Sequence, residues 1–245
     1  SLKSQKNLKD FFPTSKDLLD LKNHKIKMNY ENNFLSFSGR GQIKIDKEYE
    51  DVDYFILRKR DETNFDINID LNKTDFKIEN LNYKKNNNLI TNLNVSGSFL
   101  ASKKLFLNNI SIYDKKNKIK ITNLFLDKNN ILIQLDEASF DYIDTENKEN
   151  QFVIKRQEKD NYKLNGLFFN ANKIVTNLLE NDGNKKNKFL NNKVNIILNL
   201  NEVYLDEINF VKNLQGFVLI KANEVIESNL SANFDNKNSI IFTIN

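Results

Sequence analysis

The sequence predicts a mainly β fold: one long, curved antiparallel sheet, open as a groove or folded over like a taco, with a single amphipathic helix near residues 170–181. Three observations predict it. Apolar residues recur at every second position through most of the chain, the period of a strand with one dry and one wet face. Clusters of Asn, Lys, Asp and Gly separate these runs every ten to fifteen residues, and such residues form tight turns. Only one stretch has helical spacing.

Residues 1–22 read as an irregular leading segment that holds the sole proline, Pro13, with Ser15 placed to cap a short helix over Lys16–Leu21. Residues 23–245 read as one continuous antiparallel domain. Phe65, Ile67, Ile69 and Leu71 share one side of a strand, and Asp66, Asn68 and Asp70 the other. Phe76 and Ile78 repeat the pattern, as do Leu93, Val95 and Phe99. Gly97 falls in the apolar phase, the mark of a bulge or of a close approach to the backbone. Leu105 and Leu107 alternate in one phase, Ile110 and Ile112 in the other, so one inserted residue is expected near Asn108 and Asn109.

Ile119 and Ile121 come next, with Leu124 and Leu126 shifted in phase. Ile131, Ile133 and Leu135 follow, then Phe140 and Tyr142. The last third holds Val194, Ile196, Leu198 and Leu200, then Phe217 and Leu219, and it closes on Ile240, Phe242 and Ile244. The polar spacers are too short for crossover helices, so every pairing is expected to be antiparallel. The exception to period two is Ala171, Ile174, Val175, Leu178 and Leu179, spaced as one stripe of a helix, with Asn170 as N-cap and Gly183 beyond its end. That stripe is expected to cover one end or edge of the sheet.

At 245 residues the chain is long enough to bury a core. Hydrophobic residues are scarce at 39%, but 19 Phe and 8 Tyr speak against disorder. The net charge of +4 is interleaved with acidic residues rather than gathered on one face, which argues against nucleic acid as a partner. With no Cys, disulfides and Cys-ligated metals are excluded. No apolar run is long enough for a membrane helix. The chain starts at Ser1 and ends within an alternating stretch, so both ends read as cut and an anchor or signal is expected outside it.

Catalytic signals are absent. The one histidine, His24, reads as a surface residue, and no G-x-S-x-G elbow accompanies it. Zinc would lack ligands, and no cofactor is called for. Asp51 with Asp53, and Asp66 with Asp70, read as the wet side of strands. Asp127–Asn130 lacks the Gly and closing Glu of a calcium loop and reads as a turn. What remains is the dry side itself. It is either the core of a packed sandwich or the floor of an open trough, and a large uncovered apolar surface binds something.

Several segments carry a family resemblance: Gly41-Gln42-Ile43-Lys44-Ile45, Asp53-Tyr54-Phe55-Ile56-Leu57, Leu93-Asn94-Val95-Ser96-Gly97, Asn161-Tyr162-Lys163-Leu164-Asn165-Gly166 leading into Phe169–Ile174, and Val203-Tyr204-Leu205-Asp206 before Leu214-Gln215-Gly216. Across most of residues 40–245 the order of these features resembles the AsmA-like family, YhdP type. The resemblance implies a non-enzymatic, antiparallel β-groove in the periplasm. It also implies an inner-membrane anchor outside this chain and phospholipid acyl chains as the partner. Under it, the groove lining is expected to include Phe65, Ile67, Ile69, Leu93 and Val95. Further along the chain it would include Ile119, Ile121, Ile131 and Ile133, then Val194, Ile196, Leu198 and Leu219. A filled structural scaffold is the alternative.

Overall fold

Tight turns and alternating strands do dominate. The computed structural model describes residues 20–85, 89–101, 104–173, 176, 192–222, 224–234 and 238–244. Its strands are β1 (Leu21–Glu31), β2 (Phe34–Ile45), β3 (Glu48–Lys59), β4 (Glu62–Asp70), β5 (Phe76–Ile78), β6 (Tyr83–Lys85), β7 (Asn92–Leu100), β8 (Leu105–Tyr113) and β9 (Lys118–Leu126). They continue as β10 (Leu132–Ile143), β11 (Glu149–Glu158), β12 (Asn161–Asn170), β13 (Val194–Tyr204), β14 (Phe210–Lys221), β15 (Glu224–Asn233) and β16 (Ser239–Ile244). Fourteen strands form one mostly antiparallel sheet in the order β1-β2-β3-β4-β7-β8-β9-β10-β11-β12-β13-β14-β15-β16, which does not close into a barrel. The chain divides into two compact units, Ser1–Lys120 and Ile121–Asn245.

The turns explain much of the asparagine. Asn32 and Asn33 both take positive φ between β1 and β2, the geometry of a two-residue hairpin turn. Asp46, Arg60 and Asp160 place one left-handed residue in other two-residue turns. Longer turns begin with an aspartate whose carboxylate accepts backbone N–H groups: Asp114 from Lys116 and Asn117, Asp127 from Asn129 and Ile131, Asp144 from Glu146 and Lys148. Asp127–Asn130 is thus a turn, with its carboxylate oriented onto its own backbone.

In the first unit, β7 and β8 pair with a register shift. Ser96 faces Asn109 and Gly97 faces Leu107, so Asn108 is the inserted residue. Gly97 is required there, because a Cβ would lie 2.1 Å from the Phe106 carbonyl oxygen. Phe76 and Ile78 do not extend the main sheet. They form β5, which pairs only with β6, as a small hairpin inserted between β4 and β7.

In the second unit one pairing departs from the expected meander. β12 and β13 run parallel, Tyr162 beside Ile196 and Leu164 beside Leu198. Parallel neighbours need a connection that returns to the starting end, and here it is the segment with helical spacing. Asn172, Lys173 and Thr176 are helical. The side chain of Asn170 accepts the Asn172 N–H at 3.0 Å, which bears out the expected cap. Ile174, Val175, Leu178, Leu179 and Gly183 lie outside the described residues, as do Ser15 and 16–19 of the short helix expected near the start. Leu21, assigned to that helix, opens β1 instead.

Candidate functional site: the apolar face of the first unit

Cross-strand register places the first unit's apolar residues in rows. Gly39, Tyr54, Ile67 and Val95 are successive partners, and Ile26 and Ile110 extend that row to β1 and β8. The next row runs Met28, Phe37, Ile56, Phe65, Gly97 and Leu107. On the other side of the Ile67 row lie Gly41, Val52, Ile69, Leu93 and Ile112. Five of the expected residues, Phe65, Ile67, Ile69, Leu93 and Val95, therefore form one contiguous patch on one face.

That patch is partly uncovered. Phe65, Ile67, Ile69, Leu93 and Val95 are all half-buried. Exposure rises toward β1, where Met28 is 65% and Tyr30 67% exposed. It falls toward the strand ends beneath the β5–β6 hairpin, where Val52 is 4% and Ile112 3% exposed.

The hairpin is fastened over the apolar side by charged groups that the sequence gives no reason to bury. Glu50 sits two residues before Val52, in the same phase, and is 1% exposed. Its carboxylate accepts the backbone N–H groups of Asn72 at 3.0 Å, Lys73 at 2.7 Å and Thr74 at 2.5 Å. Three donors onto one carboxylate replace the water it loses. Lys85, also buried, donates to the Thr74 carbonyl at 2.8 Å. Burial pushes its ammonium below the ordinary value, against the opposing pull of Glu50. Tyr83 packs edge-on to Phe76, and burial followed by the charge of Asp114 pushes its phenol up.

His24 is not the exposed residue expected. Its ring lies over Gly41, half-buried and 6.0 Å from the Tyr54 ring, with Nε2 3.0 Å from the Gln42 carbonyl oxygen. Nothing in the alternation marks it, because a register shift at Asn23 turns the strand there.

The opposite face is a polar ladder. Gln42 donates to Asp51, Asn92 to Asp70, Asn94 to Asp66 and Asn68, and Asn109 to Asn94. Asp51, Asp66 and Asp70 thus belong to a wet, hydrogen-bonded surface. An open depression of about 540 Å³ lies over this face, lined by Lys25, Arg40, Asp53, Phe55, Asp66 and Asn68 among others. Among the described residues, no group of three or more His, Cys, Asp or Glu side chains is placed to hold a metal.

The other expected residues are dispersed. Ile119 is buried and Ile121 half-buried along β9. Ile131 is not in a strand: it closes the Asp127 turn, with its N–H on that carboxylate. Ile133 alternates out of phase with Phe140 and Tyr142 and is 37% exposed. Val194, Ile196 and Leu198 share one side of β13, opposite Ile220, Val218 and Gly216. Leu219 is on the other side, between Asn195 and Glu227. Both phases of Phe217–Ile220 are apolar, so alternation alone names no side.

In the second unit one row is closed. Phe140, Phe152, Gly166, Leu200 and Leu214 are successive partners. The Phe140 and Phe152 rings stack at 4.6 Å, and Phe169 meets Phe152 edge-on at 4.9 Å. Phe152 is 4% exposed and Leu200 0%.

Comparison with known proteins yields no family model that matches, no match among curated proteins and no match among solved structures.

Proposed function

We propose that this chain is a non-catalytic lipid-binding module whose first unit holds phospholipid acyl chains on its uncovered apolar face, as part of lipid transfer across a bacterial envelope. The observation that carries the proposal is the pair of rows through Ile67 and Phe65. They contain no charged residue; they are exposed on β1, half-buried on β2–β4 and at Val95 and Ile110, and buried at Gly97 and Leu107. Six strands about 4.8 Å apart and two rows each about 6.8 Å deep make an area of roughly 350 Å². Patches of that size on soluble proteins are often functional. Each CH₂ moved there from water contributes about 0.8 kcal/mol. In this reading the protein works in the periplasm, tethered to the inner membrane by an anchor outside this chain, in keeping with the AsmA-like resemblance.

A filled scaffold is the second reading, and the stacked phenylalanines of the second unit favour it for that unit. Native mass spectrometry of gently purified protein, with uptake from phosphatidylglycerol vesicles, tests the first. Bound phospholipid is expected in the wild type. Ile67→Asp should lose it while Asn68→Asp, on the other face, keeps it. Lipid-free protein that takes up nothing from vesicles overturns the proposal.

A further inference from the structure

The hairpin and one arginine give the apolar face of the first unit two unlike ends. We infer that the β5–β6 hairpin is a stop for an acyl chain lying along the strands, and that Arg58 receives its anionic head. The inference rests on the lipid-binding reading above.

At the stopped end, the hairpin and the loop leading into it are attached to the apolar phase and to the strand ends beside it. Glu50 holds the backbone of residues 72–74. Thr74 donates to the Ile45 carbonyl, and Leu71, fully buried, bonds through its N–H to the Thr91 carbonyl at 2.8 Å. A chain directed along β3 from the open side therefore meets covering groups, not solvent, once it passes Tyr54 and reaches the buried Val52. Lys85 secures the same loop from the other side by taking the Thr74 carbonyl. A charged residue and its amide partners have replaced apolar lining at that point, so the greasy floor ends there.

At the other end the row is Leu35, Arg58, Thr63 and Phe99, with Tyr30 alongside on β1. Arg58 is in phase with Val52, Tyr54 and Ile56, so it emerges on the apolar side rather than on the polar ladder. Its side chain is exposed and has no hydrogen-bond or ion-pair partner among the described residues. A guanidinium is a fork of donors suited to phosphate or carboxylate oxygens. One free cation at the rim of an uncharged strip matches an amphiphile with an anionic head.

The two ends set a length. Val52 is already covered, so the open strip runs the four residues from Arg58 to Tyr54, about 14 Å of extended strand. With carbon–carbon bonds near 1.5 Å and tetrahedral angles, an extended chain advances about 1.25 Å per bond, so the strip accommodates roughly twelve carbons. The stop closes only the direction along the strands; the direction across β1–β4, β7 and β8 is left open. The partner we commit to is the acyl chain of a phospholipid, its phosphate at Arg58.

The test is a chain-length series of lysophosphatidates, from about eight to sixteen carbons, titrated into the whole chain beside monoacylglycerols of the same lengths. Affinity should rise about four-fold per CH₂ up to roughly twelve carbons and then level off. Lysophosphatidates should bind about ten-fold more tightly than monoacylglycerols, and Arg58→Gln should remove that preference without moving the break. Glu50→Gln should move the break to longer chains and speed hydrogen exchange at Asn72, Lys73 and Thr74. The wild-type series needs no variant to fold. A rise that continues through roughly sixteen carbons overturns the stop, and equal affinity for charged and neutral heads overturns the anchor. If no chain binds at all, the lipid reading itself fails and takes the stop with it.

Discussion

The two units put the same alternation to different ends. Around Ile67 and Phe65 the dry side of the strands is left half-exposed, whereas around Phe152 and Leu200 it is sealed. The sequences of β4 and β11 do not announce this difference, since both read as apolar residues with polar ones between. Alternation decides which side of a strand is dry; it does not decide whether anything is laid over it. In the second unit three phenylalanine rings from β10, β11 and β12 close on one another, and Gly166 clears space for Phe152 and Leu200. In the first unit Gly39 and Gly41 serve single rings, Tyr54 and His24, and among the described residues the β5–β6 hairpin lies at one end of the face.

The comparison is broken most directly by truncation. Phe152→Ala should destabilise the second unit by about 3–5 kcal/mol, the cost of a cavity in a closed core. Ile67→Ala, half-exposed, should cost about 1 kcal/mol. Urea unfolding of the two variants measures both, and equal losses would mean that the first face is as well covered as the second.

A smaller effect should appear with acid. Burial pushes the Asp136 carboxyl up, but hydrogen bonds from Asn123 and Gln134 and the Arg156 guanidinium outweigh it, so its value lies below the ordinary range. Its protonated form is therefore favoured by unfolding. The stabilisation is whole above the unfolded value near 3.9 and is lost as pH falls through the lower folded value. Asp136→Asn should flatten the acid limb of a urea-midpoint profile below about pH 4, and an unchanged limb would show that the cluster carries no linkage.

A further effect concerns a kink. Asn213 holds φ 53° inside β14, where the register with β15 shifts. Asn213→Val should cost about 1–2 kcal/mol for a β-branched residue forced left-handed, while Asn213→Gly should be close to neutral. Thermal melts of the pair separate conformational strain from loss of the amide.

Much of this architecture is legible in the residues. The opposed phases of Leu105–Leu107 and Ile110–Ile112 locate the bulge at Asn108, and the missing Gly and Glu after Asp127 rule for a turn. The contiguous patch of Phe65, Ile67, Ile69, Leu93 and Val95 follows from alternation plus neighbouring hairpins. Other features depend on partners distant in the chain. Glu50 looks like any charged strand residue until the loop at 72–74 lies on it. Phe76 and Ile78 alternate like sheet strands but are too few to pair with more than β6. Leu219 has apolar neighbours in both phases, so only its register against Asn195 shows its side. The parallel pairing of β12 and β13 needs the long connection to be recognised as a return path.

The chain has only 6 glycines, yet twelve described non-glycine residues take positive φ, and eight of them are asparagine. A corner made of glycine leaves the unfolded chain its widest choice of conformations, all of which must be surrendered when the corner closes. An asparagine corner starts from a narrower set, and it tolerates the left-handed well better than most side chains. A fold with this many reversals thus gives up less disorder at each one, at the expense of local steric strain. Folding cooperativity in such a protein is expected to depend on how many of these amides keep their shape, as much as on the greasy rows between them.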